Sequence, residues 1–444
     1  MKRLVLFATL CTFVLGMAAT SASAADIKAT GSYVFEAVWG DKSMSDNDSD
    51  SNFDVYQRLR TKFEFIANEN LKGVLYTEVG TSTWGEEMQS GTNLTESSAD
   101  EGSIEIKAGY IDFNWPGTQQ NIKVGHLKVD LPSALGGASM ILSDELPTAM
   151  ISGPITDHVA YMLGWHRLQK NSNTSDEDDD AELDAVSVAL PLNFDGVSIQ
   201  PFMVYGYAGD NYKLDEYAGV SYKKSNLHVD NVWWTGVAFE LTMFDPFVFK
   251  ADLNYGNADI EGKEDANGWY FGASLEYKGF DFMTPEVFFA WTSGDDDDAE
   301  YKGEGQMPIM PNAAGDWALG SFWFGGDWGV GDLASVDADD ESLGFWVLGL
   351  SLKDISFFEG LTHTVNLLYI QGTNDQDNVK STTSRTYLGD DDSLFEIDLN
   401  SAYSIYDELT AYVELGWIAE DFDGKRDDGS DDAWKVSTGL NYQF

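Results

Sequence analysis

Read at every second residue, the end of the chain gives Trp434, Val436, Thr438, Leu440, Tyr442 and Phe444, with Lys435, Ser437, Gly439, Asn441 and Gln443 between them. One apolar and one polar face at a two-residue period predict an amphipathic β-strand with aromatics at both ends. The start of the chain repeats the pattern at Gly31, Tyr33, Phe35, Ala37 and Trp39. It recurs at Leu59, Phe63 and Phe65, with Arg58, Arg60, Lys62 and Glu64 on the opposite face. Comparable stretches lie near 74–84, 104–115, 122–129, 149–153, 159–168, 183–190, 197–207, 237–243, 247–255, 269–277, 283–292, 343–352, 361–370, 394–403 and 409–418. This predicts about 18 strands; a weak segment at 149–153 and a hairpin within 210–235 leave about 16 and about 20 open.

The connections alternate in length. Asn68–Gly73, Pro116–Gly117, Asn193–Gly196, Phe244–Phe247 and Lys278–Phe280 are short, whereas 41–52, 85–102, 169–181, 294–342, 372–392 and 420–432 are long and mostly acidic. Placing the long loops together puts both termini on the short-turn side, the layout of an outer-membrane barrel. A tilted strand of about ten residues spans the hydrocarbon layer. A secreted soluble β-protein is the alternative of another class, but a sandwich has no reason to sort its loops by length.

Composition narrows the compartment. Lys2 and Arg3 precede an apolar run from Leu4 to Ala19 and the small-residue site Ala22-Ser23-Ala24, so residues 1–24 are expected to be a cleaved signal peptide and 25–444 a single domain. Cys11 lies inside that run and is the only cysteine, which excludes thiol chemistry and disulfides from the mature chain. The 75 acidic against 26 basic residues, a net charge of −49, argue against nucleic acid as a partner. Aromatics at 14% exclude a disordered acidic tail.

The signal peptide, the alternation over the whole mature chain and Phe444 preceded by Tyr442 and Leu440 resemble the bacterial trimeric porins. In length, acidity and ending the chain is most similar to the homotrimeric porins of sulfate-reducing bacteria. The resemblance implies an all-β transmembrane antiparallel barrel in the outer membrane, a homotrimer in contact with lipid and lipopolysaccharide. It also implies that Leu440, Tyr442 and Phe444 are the signal read by the outer-membrane assembly machinery.

A barrel of this size leaves an aqueous lumen, so the expected function is passive diffusion of small hydrophilic solutes and ions, without catalysis. The connection at about 130–153, with Pro132, Gly136 and Gly137, is less charged than the others and is expected to fold inward. Its Pro132–Gly137 segment resembles the Pro-Glu-Phe-Gly-Gly element of general porins, with one extra residue and no Glu. Arg58, Arg60 and Lys62 share one face of a strand, which is lumenal if the other face meets lipid. The porin resemblance sets them, with Lys107 and Lys123, against Asp144 and Glu145 across a constriction. The acidic loops are expected to favour cations.

Asp46-Asn-Asp-Ser-Asp50 begins like a calcium loop, but Ser51 replaces the required Gly and no Glu follows at the last ligand position. The runs Asp176–Asp180, Asp295–Asp298 and Asp390–Asp392 read as solvated surface, with divalent cations at the loops as the other reading. His126, His158, His166, His228 and His363 show no metal-ligand spacing, and no cofactor or bound metal is expected. A sugar-type porin remains an alternative: Trp233, Trp234, Phe322, Trp323, Phe324 and Trp328 would then line the lumen, rather than belong to an interfacial girdle or a folded loop.

Overall fold

The computed structural model describes residues 25–41, 52–84, 104–170, 182–209, 229–297, 299, 303–309, 317–325, 343–379, 387–423 and 432–444. Its strands are β1 (Asp26–Asp41), β2 (Asn52–Asn68), β3 (Leu71–Thr83), β4 (Ile104–Asn114), β5 (Asn121–Asp130), β6 (Ser143–Pro154), β7 (Ala160–Lys170), β8 (Glu182–Ala189), β9 (Leu192–Phe194), β10 (Val197–Ala208), β11 (Val229–Phe244), β12 (Phe247–Ile260), β13 (Ala266–Tyr277), β14 (Thr284–Thr292), β15 (Phe345–Phe358), β16 (Leu361–Gly372), β17 (Ser393–Tyr406), β18 (Leu409–Asp421) and β19 (Ala433–Gln443). One short helix, α1 (Gln376–Val379), lies in the connection before β17.

Each strand pairs antiparallel with its neighbours, and β1 pairs with both β2 and β19, so the sheet closes on itself. β8 and β9 both pair with β10 and are two halves of one stave, interrupted at Leu190-Pro191, where proline cannot donate to the ladder. The barrel therefore has 18 staves. Closure is completed by the last residue: Gly31 N donates to Phe444 O at 2.9 Å and Phe444 N to Gly31 O at 3.0 Å.

The polarity of the barrel is inverted relative to a soluble protein. On β17 Glu396 and Asp398 are completely buried while Ile397 and Leu399 between and beside them are 37% and 38% exposed. Alternation puts the first pair inside and the second pair outside. Aromatic side chains gather near both ends of this outer face. Near the long loops Trp39 meets Trp434 at 5.3 Å and Tyr255 meets Trp269 at 4.7 Å. Near the short turns Phe282 stacks on Phe357 at 5.6 Å and Tyr442 on Phe444 at 5.7 Å. The expected apolar face of the last strand is thus the outer one, with Leu440, Tyr442 and Phe444 exposed.

Two expectations need correction. The inward connection does not run to 153, because Ser143–Pro154 is regular strand paired to β5 from Asp130↔Ser143 onward. Residues 131–142 are what remains between the strands. Asp296, Asp297, Asp390 and Asp391 are exposed as expected, but Asp295 and Asp392 are not solvated: Asp295 accepts Gly303 N, Gly305 N and Tyr387 Oη, and Asp392 accepts Gly389 N and Asp423 N. These side chains satisfy loop N–H groups that folding removes from water. Asp46–Asp50, Asp176–Asp180, His228, Asp298 and Trp328 lie outside the described residues.

Candidate lumenal constriction

Two segments fold into the lumen. The first is 131–142, whose Leu131, Leu135, Met140, Ile141 and Leu142 are buried. It is pinned by Asp252 of β12, whose carboxylate accepts Ala134 N at 2.8 Å, Leu135 N at 2.8 Å and Ser133 Oγ at 3.1 Å. Gly136 and Gly137 adopt φ of +79° and +80°, which favours glycine. A Cβ on Gly136 would lie 2.3 Å from Trp317 Nε1. A cavity of about 290 Å³ separates this segment from the wall, bordered by Pro132, Ser133, Met150, His166, Ser187 and Gln200. His166 is held there between Thr148 Oγ1 at 3.0 Å and Ser187 Oγ at 2.8 Å.

The second comprises 303–309 and 317–325. It meets the first where Ala318 N donates to Gly136 O at 3.0 Å. Trp234 Nε1 donates to Pro308 O, and Trp317 packs edge-on to Tyr270 with centroids 6.0 Å apart. Trp234, Phe322, Trp323 and Phe324 are packed into this interior, whereas Trp233 is on the outer face against Tyr255.

The wall of β2–β5 is different. Here Arg58, Arg60, Lys62, Tyr76, Tyr110, Asp112 and Lys123 remain partly exposed, while Asp252, Glu276, Glu396 and Glu414 on the far side are covered. Lys250 of β12 and Lys353 of β15 are partly exposed in the same way, at 26% and 32% of the side chain against 31% for Arg60. Register confirms that Arg58, Arg60 and Lys62 share the face of buried Tyr56 and Val74.

Their partners are nearer than expected. Arg60 Nε donates to Glu78 Oε2 of the adjacent strand at 2.5 Å, and Lys107 Nζ lies 4.0 Å from Glu78 and 3.5 Å from Glu145. Glu145 reaches Lys107 because β4–β5 pairing stops at Gly109↔His126 while β5–β6 pairing continues to Asp130↔Ser143. Lys62 lies 4.0 Å from Glu64, which is bonded at 2.6 Å to Lys72. Asp144 Oδ1 accepts Glu145 N at 2.6 Å, and Lys123 stands opposite Asp112. The structure thus joins Arg60 to Lys107 through Glu78, a residue the sequence reading missed, and Lys107 in turn to Glu145. The position of Glu78 on the polar face of its strand, with Tyr76, was the available signal.

A closed antiparallel barrel of 18 staves with a greasy exterior, a polar interior and infolded loops is the architecture of outer-membrane porins. Solved structures of that architecture are similar over the whole chain. Acinetobacter baumannii OccAB3 gives a TM-score of 0.58 at 10% identity, covering 94% of this chain and 99% of its own. Pseudomonas aeruginosa OccK8 (OprE) gives 0.54 at 12%, covering 94% and 98%. The outer membrane protein OprD from Pseudomonas aeruginosa also gives 0.54 at 12%, covering 94% of each chain. These likenesses are of fold, and they do not single out the porins of sulfate-reducing bacteria. No protein-family model matches the sequence, and no curated sequence matches it.

Proposed function

We propose that the chain forms a water-filled outer-membrane channel passing small hydrophilic solutes by diffusion, exported by residues 1–24. The inverted polarity of the closed barrel carries the reading: an apolar band between aromatic girdles suits lipid, and charged side chains along β2–β5 suit an aqueous path. The acidic long loops favour cations at the mouth. Planar-bilayer recording in a KCl gradient tests both parts. Discrete conductance steps with a cation-directed reversal potential are expected; absence of conductance would sink the channel, and an anion-directed potential would sink the cation preference.

The wall of β2–β6 carries Arg58, Arg60, Lys62, Lys72, Lys107 and Lys123 interleaved with Asp54, Glu64, Glu78, Glu105, Asp112, Asp144 and Glu145, a near-balanced set of both signs. The sugar-type alternative loses support because Trp234, Phe322 and Trp323 are buried. A homotrimer is the assembly the porin resemblance implies, and the exterior of β2–β6 sets the small or polar residues Gln57, Thr61, Thr77, Gly109 and Ala149 among its apolar ones. Light scattering of the detergent-solubilised protein should give a trimer mass, and a monomer mass would refute the assembly.

A further inference from the structure

Residues 317–325 lie against the lumenal face of β17–β19, and their backbone is held by side chains from that wall. Ser321 N donates to Asp398 Oδ2 at 2.9 Å and Trp323 N donates to Glu396 Oε2 at 2.8 Å. Lys435 Nζ donates to Ser321 O, lies 3.5 Å from Glu414 Oε2 and sits 5.5 Å from the Phe322 ring centroid. Asn366 Nδ2 adds a bond to Asp398 Oδ2 at 3.3 Å, and Asn400 Nδ2 one to Ser321 Oγ at 2.9 Å.

Glu396 and Asp398 form a buried pair of acidic side chains. They stand two residues apart on one face of β17, both with no exposure. A Cβ on Gly320 would lie 2.5 Å from Glu396 Oε1 and 3.2 Å from Asp398 Oδ2, so both crowd one point, which Gly320 clears at φ +80°. The outer oxygens, Glu396 Oε1 and Asp398 Oδ1, have no hydrogen-bond partner. Glu414 of β18 and Lys435 of β19 are the charged groups beside them; Asn366 and Asn400 are neutral, and 317–325 contains no ionisable side chain. Three buried carboxyls therefore face one ammonium. Orphaned acceptors on two adjacent carboxyls and a surplus negative charge are relieved together by a proton on one carboxyl donated to the other.

We infer that Glu396 and Asp398 share one proton and that this pair sets the bore of the channel by docking 317–325 in the lumen as a second constriction element. The inference rests on the channel reading above. Loss of the proton puts two like charges within about 6 Å in a poorly solvated site, which shifts the ratio of released to docked segment by roughly a hundredfold. Water and wider solutes then enter the space the segment leaves.

Single-channel recording of the full chain from about pH 5 to about pH 10 tests this. Wild-type conductance is expected to rise on the alkaline side. In Glu396→Gln the amide donates to Asp398 as the proton did, so conductance should stay at the low value throughout. Glu396→Ala/Asp398→Ala should conduct at the high value at every pH and admit larger polyethylene glycols. A wild-type conductance that ignores pH, or a Glu396→Gln channel that keeps the alkaline rise, overturns the inference; the latter decides the matter even where the double variant fails to fold. A wild-type barrel with no conductance at any pH overturns instead the channel reading on which it rests.

Discussion

Replacing Asp252 by Ala should loosen the segment 131–142 without opening the barrel. The carboxylate receives Ala134 N, Leu135 N and Ser133 Oγ, all from one turn of that segment, and is itself 2% exposed. Hydrogen bonds to a charged acceptor contribute about 1.5–3 kcal/mol each, and a stranded buried donor costs about 1–3 kcal/mol. The single Ser133 hydroxyl proton has Leu135 O as an alternative acceptor at 2.9 Å, so the hydroxyl keeps a partner and the loss falls on the two backbone N–H groups. The local opening equilibrium should therefore move by about 2–6 kcal/mol, or roughly 30-fold to more than 10³-fold. The apolar contacts of Leu131, Met140, Ile141 and Leu142 keep the remainder of the segment in place, so whole-barrel melting should change little. Hydrogen exchange is the direct assay: Ala134 and Leu135 amides should lose protection by that factor, while β12 amides keep theirs, and open-channel current noise should increase. Unchanged protection at Ala134 and Leu135 would refute the claim that this carboxylate pins the segment.

Removing Phe444 deletes both backbone bonds to Gly31 and one member of the Tyr442 pair, so outer-membrane levels should fall sharply on heat-modifiability gels; wild-type levels would count against a terminal assembly signal. Arg60→Gln removes the 2.5 Å partner of Glu78 and leaves that carboxylate with Lys107 at 4.0 Å. Its reversal potential in a salt gradient should shift toward cations, and an unmoved potential would show that this wall does not face the conducting path.

The barrel was legible because lipid outside and water inside leave a two-residue stripe that a sequence displays directly, as in Trp434–Phe444 and in Arg58 to Phe65. The register of Arg58, Arg60 and Lys62 on the lumenal face followed from the same stripe. Asp252, Glu396 and Asp398 did not stand out, because a polar residue on a lumenal face looks alike whether it meets water or a folded-in backbone. Their partners are over seventy residues away, in loops whose apolar stretch Phe322-Trp323-Phe324 was read only as one of several possible packings. The acidity of the loops misled for a related reason. Asp295 and Asp392 count toward net charge like any surface aspartate, yet each is spent on local N–H groups that only the folded loop creates.

The seam between β1 and β19 joins the first and last strands of the barrel. Contacts of that kind have the greatest sequence separation the polypeptide can offer, and chains rich in distant contacts fold slowly. Until that seam pairs, the sheet carries two unpaired edges, each a template for another chain. Ring closure thus removes both edges in one step, and a β1–β19 pairing that fails to form leaves an open ribbon prone to edge-to-edge association.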